Sequence, residues 1–202
     1  MINKILSVSL CFLAPAVAAQ APFKVVGEQI DFAVPSYAKL AFMQGTPAGE
    51  YQAEYVDKSE SVESWKKFFI GYKRINQGDF KQLVAANVKA LPQLCSNLTF
   101  SKFYRHKDPF YKAGDIISWV FFCADKMPNA PYGEGTVMTF LQGEDFLFQH
   151  WSAWRPTSAD LGANNLGIDK QRLAQLIRLG GTVNLCNKEA GKKCYHNNLQ
   201  PE

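Results

Sequence analysis

The sequence is 202 residues long, 47% of them apolar and 20% charged, with a formal net charge of +4. That length fits one domain with a real core, and so mild a positive charge argues against a nucleic-acid partner.

The chain begins with Lys4, an apolar run from Ile5 to Leu13, and small residues from Ala14 to Ala19. Charge, apolar run and small residues in that order predict a secretory signal peptide over residues 1–19, cut after Ala18 or Ala19. Cys11 lies inside the apolar run behind Leu10, so it is not a lipoprotein cysteine. The expected address is periplasmic or secreted, in a Gram-negative bacterium. No later run approaches the roughly 18–20 apolar residues of a membrane helix, so no transmembrane segment is expected in the mature protein. Residues 20–202 are predicted to form a single domain.

After a leading segment with Val25, Val26, Ile30 and Phe32, two runs flank a Gly/Pro-rich connection and read as a hairpin, Ala38–Met43 and Tyr51–Val56. Tyr51, Ala53 and Tyr55 share one face of the second strand. The stretch from Ser61 to Tyr72 predicts a helix, because Val62, Trp65, Phe69 and Tyr72 recur at helical spacing behind a capping serine. Lys66, Lys67, Lys73 and Arg74 then read as its solvated side. Asp79 predicts the cap of a second helix with Phe80, Leu83, Val84, Val88 and Leu91 inward, ended by Pro92. Leu98–Arg105 alternates as a strand, and Ser118–Ala124 is apolar on both faces, as a central strand should be. Glu134–Arg155 reads as two strands around Gly143-Glu144, with Gly143 suited to a type II′ turn. The second of these strands is the most aromatic stretch, with Phe146, Phe148, Trp151 and Trp154. Asp169 caps a predicted helix, Lys170–Leu179, with Leu173, Leu176 and Ile177 inward and Gly180-Gly181 as its stop. From Thr182 onward the chain reads as a short polar tail. The predicted fold class is α+β, one mostly antiparallel twisted sheet packed by helices on one side.

Four cysteines remain after the signal peptide. An even number in an oxidising compartment favours disulfides. Cys186 and Cys194 enclose a short polar loop and are the first expected pair, which leaves Cys95 with Cys123. A zinc site is disfavoured because no CxxC knuckle is present, and no other metal or cofactor is expected.

Catalytic signals are sparse. The histidines His106, His150 and His196 show no metal-ligand spacing, and there is no GxSxG elbow and no SxxK. His150 shares a strand face with Phe146, Phe148, Ser152 and Trp154, so a hydrolase using His150 with a nearby carboxylate is one reading. Glu134, Glu144 and Asp145 border that hairpin. The aromatic excess is the stronger hint. Trp65 and Trp119 fit packing, whereas Trp151 faces away from Phe148 and Trp154 and marks a possible contact surface with Gln149 and Arg155.

The run Glu54-Tyr55-Val56 followed by Ser59–Trp65 resembles an uncharacterised family of secreted Gram-negative bacterial proteins. There a strand ending in Glu-Tyr-Ile/Val leads through an acidic link into a helix with Trp in its first turn. The Gly143 turn, the strand ending Trp154-Arg155, and Cys186 with Cys194 resemble that family too. A Glu-Ser pair stands here where the family's link has Gly-Glu. The strand-to-helix layout is also similar to PsbP-like α/β sandwiches, which implies an accessory or binding role. The leading expectation is therefore a non-enzymatic periplasmic or secreted accessory protein that binds an envelope protein or a small apolar ligand through Trp151, Arg155, Gln149 and His150. A structural cell-envelope component is the third reading.

Overall fold

The computed structural model describes residues 25–76, 78–101, 104–107, 115–158, 160, 166–181 and 183–194, the backbone alone at 104–107, 115 and 181. The predicted signal peptide, His196 and the side chain of His106 lie outside the described residues.

The elements are β1 (Glu28–Asp31), β2 (Ala38–Gly45), β3 (Tyr51–Asp57), β4 (Phe69–Asn76), α1 (Phe80–Leu94), β5 (Leu98–Phe100), β6 (Tyr104–Lys107), β7 (Asp115–Cys123), β8 (Glu134–Gln142), β9 (Phe146–Trp154), α2 (Lys170–Gly181) and β10 (Asn184–Asn187). An eight-stranded sheet runs β2-β3-β4-β9-β8-β7-β5, with β6 also paired to β7. Every pairing in it is antiparallel. β1 and β10 form a separate antiparallel pair. An α+β class with a mostly antiparallel sheet is thus what the chain builds.

The two helices lie on opposite faces of the sheet, which corrects the expectation of helices on one side. Phe80, Leu83, Val84 and Val88 of α1 pack with Trp119, Phe140 and Leu147. Leu173, Leu176 and Leu179 of α2 pack with Val120, Phe122, Val137 and Trp154. Trp119 and Val120 are neighbours on β7, and successive strand residues point to opposite faces. This is why Ser118–Ala124 is apolar on both sides. The α2 face is completed by β1 and β10, where Ile30, Phe32, Val183 and Leu185 join Tyr51, Tyr55, Ile70, Tyr72 and Phe148. Asn184–Asn187, in the expected polar tail, is therefore a strand.

The largest correction falls on residues 61–72. No helix forms there; a turn at 62–64 is followed by β4. Asp57 accepts the Ser59 amide at 2.9 Å, and the Glu60 carboxylate accepts the Lys66 and Lys67 amides at 3.2 and 3.3 Å. Side chains thus satisfy amides that a helix would have paired, and turns compete well on those terms. Val62, Trp65 and Phe69 still cluster together as their spacing implied. Tyr72, however, points to the other face, and Arg74 is fully buried instead of solvated. β4 sits between β3 and β9, and its run of buried residues is what a central strand needs.

Smaller departures have local causes. Leu98–Arg105 divides into β5 and β6, both paired to β7, around Ser101, whose amide bonds Val120 O at 2.8 Å. Pro92 lies within the last turn of α1 instead of ending it. Ile177 is 43% exposed, and Leu179 packs inward in its place. Gly143 does not take a positive φ, so the turn is not type II′. Space is what glycine supplies there: a Cβ would stand 2.0 Å from Glu28 Oε2.

Both tryptophans of β9 lie over glycines of the neighbouring strands, on opposite faces. A Cβ on Gly71 of β4 would meet the Trp151 ring at 2.2 Å, and one on Gly135 of β8 the Trp154 ring at 1.9 Å. Gly135→Ala is expected to cost about 1–3 kcal/mol, since the buried Trp154 ring has nowhere to move. Gly71→Ala should cost less, because the Trp151 ring it displaces is only half-buried and gives up less packing. Urea denaturation of both variants checks the order.

Candidate functional site

The four residues singled out for binding do not form one site. Strand alternation places Gln149 and Trp151 on the α1 face and His150 on the other. Arg155 follows β9 and lies apart.

Trp151 stands opposite Gly71 on one side and Met138 on the other. Its ring stacks near Phe69, with centroids 6.4 Å apart and planes at 20°. Gln149 stands opposite Lys73 and Phe140 and donates from Nε2 to Met138 Sδ at 3.1 Å. On β3, Gln52 donates to the Glu54 carboxylate at 2.5 Å, while partial burial pushes the Glu54 carboxyl upward against that bond. Gln52, Glu54, Lys73, Gln149 and Trp151 are all half-buried. They make a mixed surface with one supported indole at its centre.

Arg155 is separated from this surface by the rings of Trp65 and Phe69. Its guanidinium lies 3.7 Å from the centre of the Trp65 ring and donates from Nη1 to Trp65 O at 2.5 Å and from Nε to Glu134 Oε2 at 3.0 Å. Trp65 in turn sits 5.3 Å from Phe69. Burial raises the Glu134 carboxyl, and the Arg155 charge partly offsets this. Arg172 of α2 donates to Lys67 O and ties the helix to the same segment.

His150 is fully buried, between Tyr72 of β4 and Thr139 of β8, with the Phe32 ring edge-on at 5.3 Å. Among the described residues neither ring nitrogen has a hydrogen-bond partner. Burial pushes its pKa down to about 3, so the ring is neutral at physiological pH and has no path to a solvent-borne substrate. Its place among the binding residues is corrected accordingly: the ring belongs to the core. Around it Tyr55 is pushed up to about 12 by burial, and Tyr51 and Tyr72 are raised further by the same cause. The bordering Glu144 is paired with Lys192 at 3.1 Å.

The cysteines join as expected, Cys95–Cys123 and Cys186–Cys194. Asp125 lies beside the first pair, where its carboxylate holds Ser96 and Asn97. Sequence reading missed the Gly71 and Gly135 seats, buried Arg74, and the walls of a cleft beside Arg155. The Pro128, Pro131 and Pro156 cluster was the available signal for that cleft.

Neither a protein-family model nor a curated protein sequence matches the chain. Among solved structures, LpqN of Mycobacterium tuberculosis, described as involved in cell envelope biogenesis, is similar over 80% of this chain and 86% of that one, at 9% identity and a TM-score of 0.37. At that score the likeness carries no functional argument.

Proposed function

We propose that the protein is a non-enzymatic periplasmic or secreted accessory protein that acts by contact, through the sheet face carrying Trp151 and Gln149. The observation that carries this reading is the half-buried Trp151 indole, fixed over Gly71 and backed by Phe69. A large, rigid, partly exposed aromatic amid polar neighbours loses little entropy on contact and suits the centre of an interface. The two disulfides support an oxidising, extracytoplasmic setting. The enclosure of His150 speaks against the hydrolase reading.

A photo-crosslinking residue at Gln149, compared with one at Gln175 on the exposed side of α2, tests the surface. Crosslinks to a discrete partner are expected from position 149 alone and should fall about tenfold with Trp151→Ala in a folded protein. Equal crosslinking from both positions, or indifference to Trp151→Ala, would overturn the assignment.

A further inference from the structure

Beside Arg155 lies a cleft of about 500 Å³, walled by Lys66, Pro128, Pro131, Tyr132, Arg155 and Ser158. Its walls are preformed. Met127 and Ala130 exchange backbone hydrogen bonds of 3.1 and 3.0 Å across the Pro128-Asn129 turn. Asn129 Nδ2 donates to Glu63 O at 2.9 Å, and the Thr157 amide and hydroxyl donate to Asp160 at 2.8 and 2.7 Å. Prolines fix much of the remaining backbone, so little ordering is left for a ligand to impose.

The polar groups divide into spent and unspent. One Asn129 amide hydrogen, the Thr157 hydroxyl and Arg155 Nε and Nη1 are already used on the protein. Arg155 Nη2, Lys66 Nζ and the hydroxyls of Tyr132 and Ser158 have no hydrogen-bond or ionic partner among the described residues. All four can donate, and no carboxylate lines the cleft. The Arg155 charge is balanced by Glu134 at 3.0 Å. Lys66 has no paired carboxylate among the described residues, so its charge is the one the cleft leaves open there. Tyr132, 40% exposed, adds a flat apolar wall.

We propose that this cleft binds a carboxylate-bearing sugar, its carboxylate held by Lys66 and Arg155 Nη2 and its ring laid on Tyr132. A single open charge matches one carboxylate better than a doubly charged phosphate. A donor-rich lining suits a ligand rich in acceptor oxygens. A pyranose offers a C–H face to the Tyr132 ring and hydroxyls that both donate and accept toward the Tyr132 and Ser158 hydroxyls, a combination that a triglutamate chain lacks. The site adjoins the Trp151 surface and does not depend on it.

Calorimetric titration with trigalacturonate, maltotriose and triglutamate tests the assignment. Saturable binding of trigalacturonate is expected, with maltotriose at least about tenfold weaker, a difference of about 1.4 kcal/mol. Lys66→Glu and Tyr132→Ala change exposed side chains without internal bonds and should each weaken trigalacturonate about tenfold. Trp151→Ala should leave it unchanged, so failure of this site and failure of the contact surface are separable. The proposal is overturned by absent trigalacturonate binding, by equal binding of maltotriose, by tighter binding of triglutamate, or by indifference to both cleft variants.

Discussion

Replacement of Glu28 by alanine is expected to lower the stability of the protein by about 3–5 kcal/mol, the range for removing one partner of a buried charged cluster. The residue has no exposed surface. Its carboxylate accepts the amides of Glu144, Asp145 and Phe146 at 2.9, 3.1 and 3.2 Å, so the β8–β9 turn closes around it as an anion-binding concavity. Its own carbonyl accepts from Arg74 Nη1 at 2.7 Å, and the same nitrogen holds Val26 O at 2.7 Å. The Arg74 guanidinium also lies over the rings of Tyr51 and Phe146, at 4.7 and 4.3 Å. Removing the carboxylate strands three amides and takes a compensating charge from a buried guanidinium, whose own proton affinity burial already lowers. Glu28→Gln keeps the shape and one good acceptor and should cost about 1–3 kcal/mol. Urea denaturation at neutral pH checks both. An alanine variant within about 1 kcal/mol of the parent would show that the turn does not need the carboxylate.

The second large effect is acid sensitivity from His150. Burial lowers its folded pKa from 6.5 to about 3. Above the unfolded value neither state binds a proton there, so the residue leaves stability unaffected by pH. As pH falls below about 6.5 the unfolded chain gains a proton that the folded one refuses, and stability drops by about 1.4 kcal/mol per unit until the folded value is reached. The loss is therefore largest near pH 3. His150→Leu should flatten this slope between pH 6.5 and 5, above the range where the exposed carboxylates titrate, and should not weaken the protein at pH 7. Deleting two unsatisfied buried nitrogens is the reason. An unchanged slope in the variant would remove His150 as its source.

The parts of the fold written in local pattern were legible. The β2–β3 and β8–β9 hairpins, α1 with its Asp79 cap, α2 with its Asp169 cap, and both cysteine pairs follow from spacing and turn chemistry over short distances. What failed was sequence that local pattern describes twice. Residues 61–72 place Val62, Trp65 and Phe69 on one side equally well by a helical turn or by a loop and a strand, and only pairing with β3 and β9 decides between them. Arg74 reads as solvated because its partners, the carbonyls of Val26, Glu28 and Gly49, are backbone atoms distant in sequence. The same limit applies to the site. Alternation separated Trp151 from the Phe148 face correctly. The seat at Gly71 and the cleft beside Arg155 arise from segments that meet only in the folded chain.

The pairing of β1 with β10 also bears on when the fold can be completed. These strands come from the two ends of the described chain, yet Ile30 of one and Leu185 of the other belong to the same core cluster as Tyr55 and Phe148. Contacts between such distant segments carry the largest loop-closure cost and slow folding. A chain emerging N-terminus first cannot cover Phe32 and the tyrosine cluster until Asn184–Asn187 has arrived. Of the described strands, the one that is made last is the one that seals the domain.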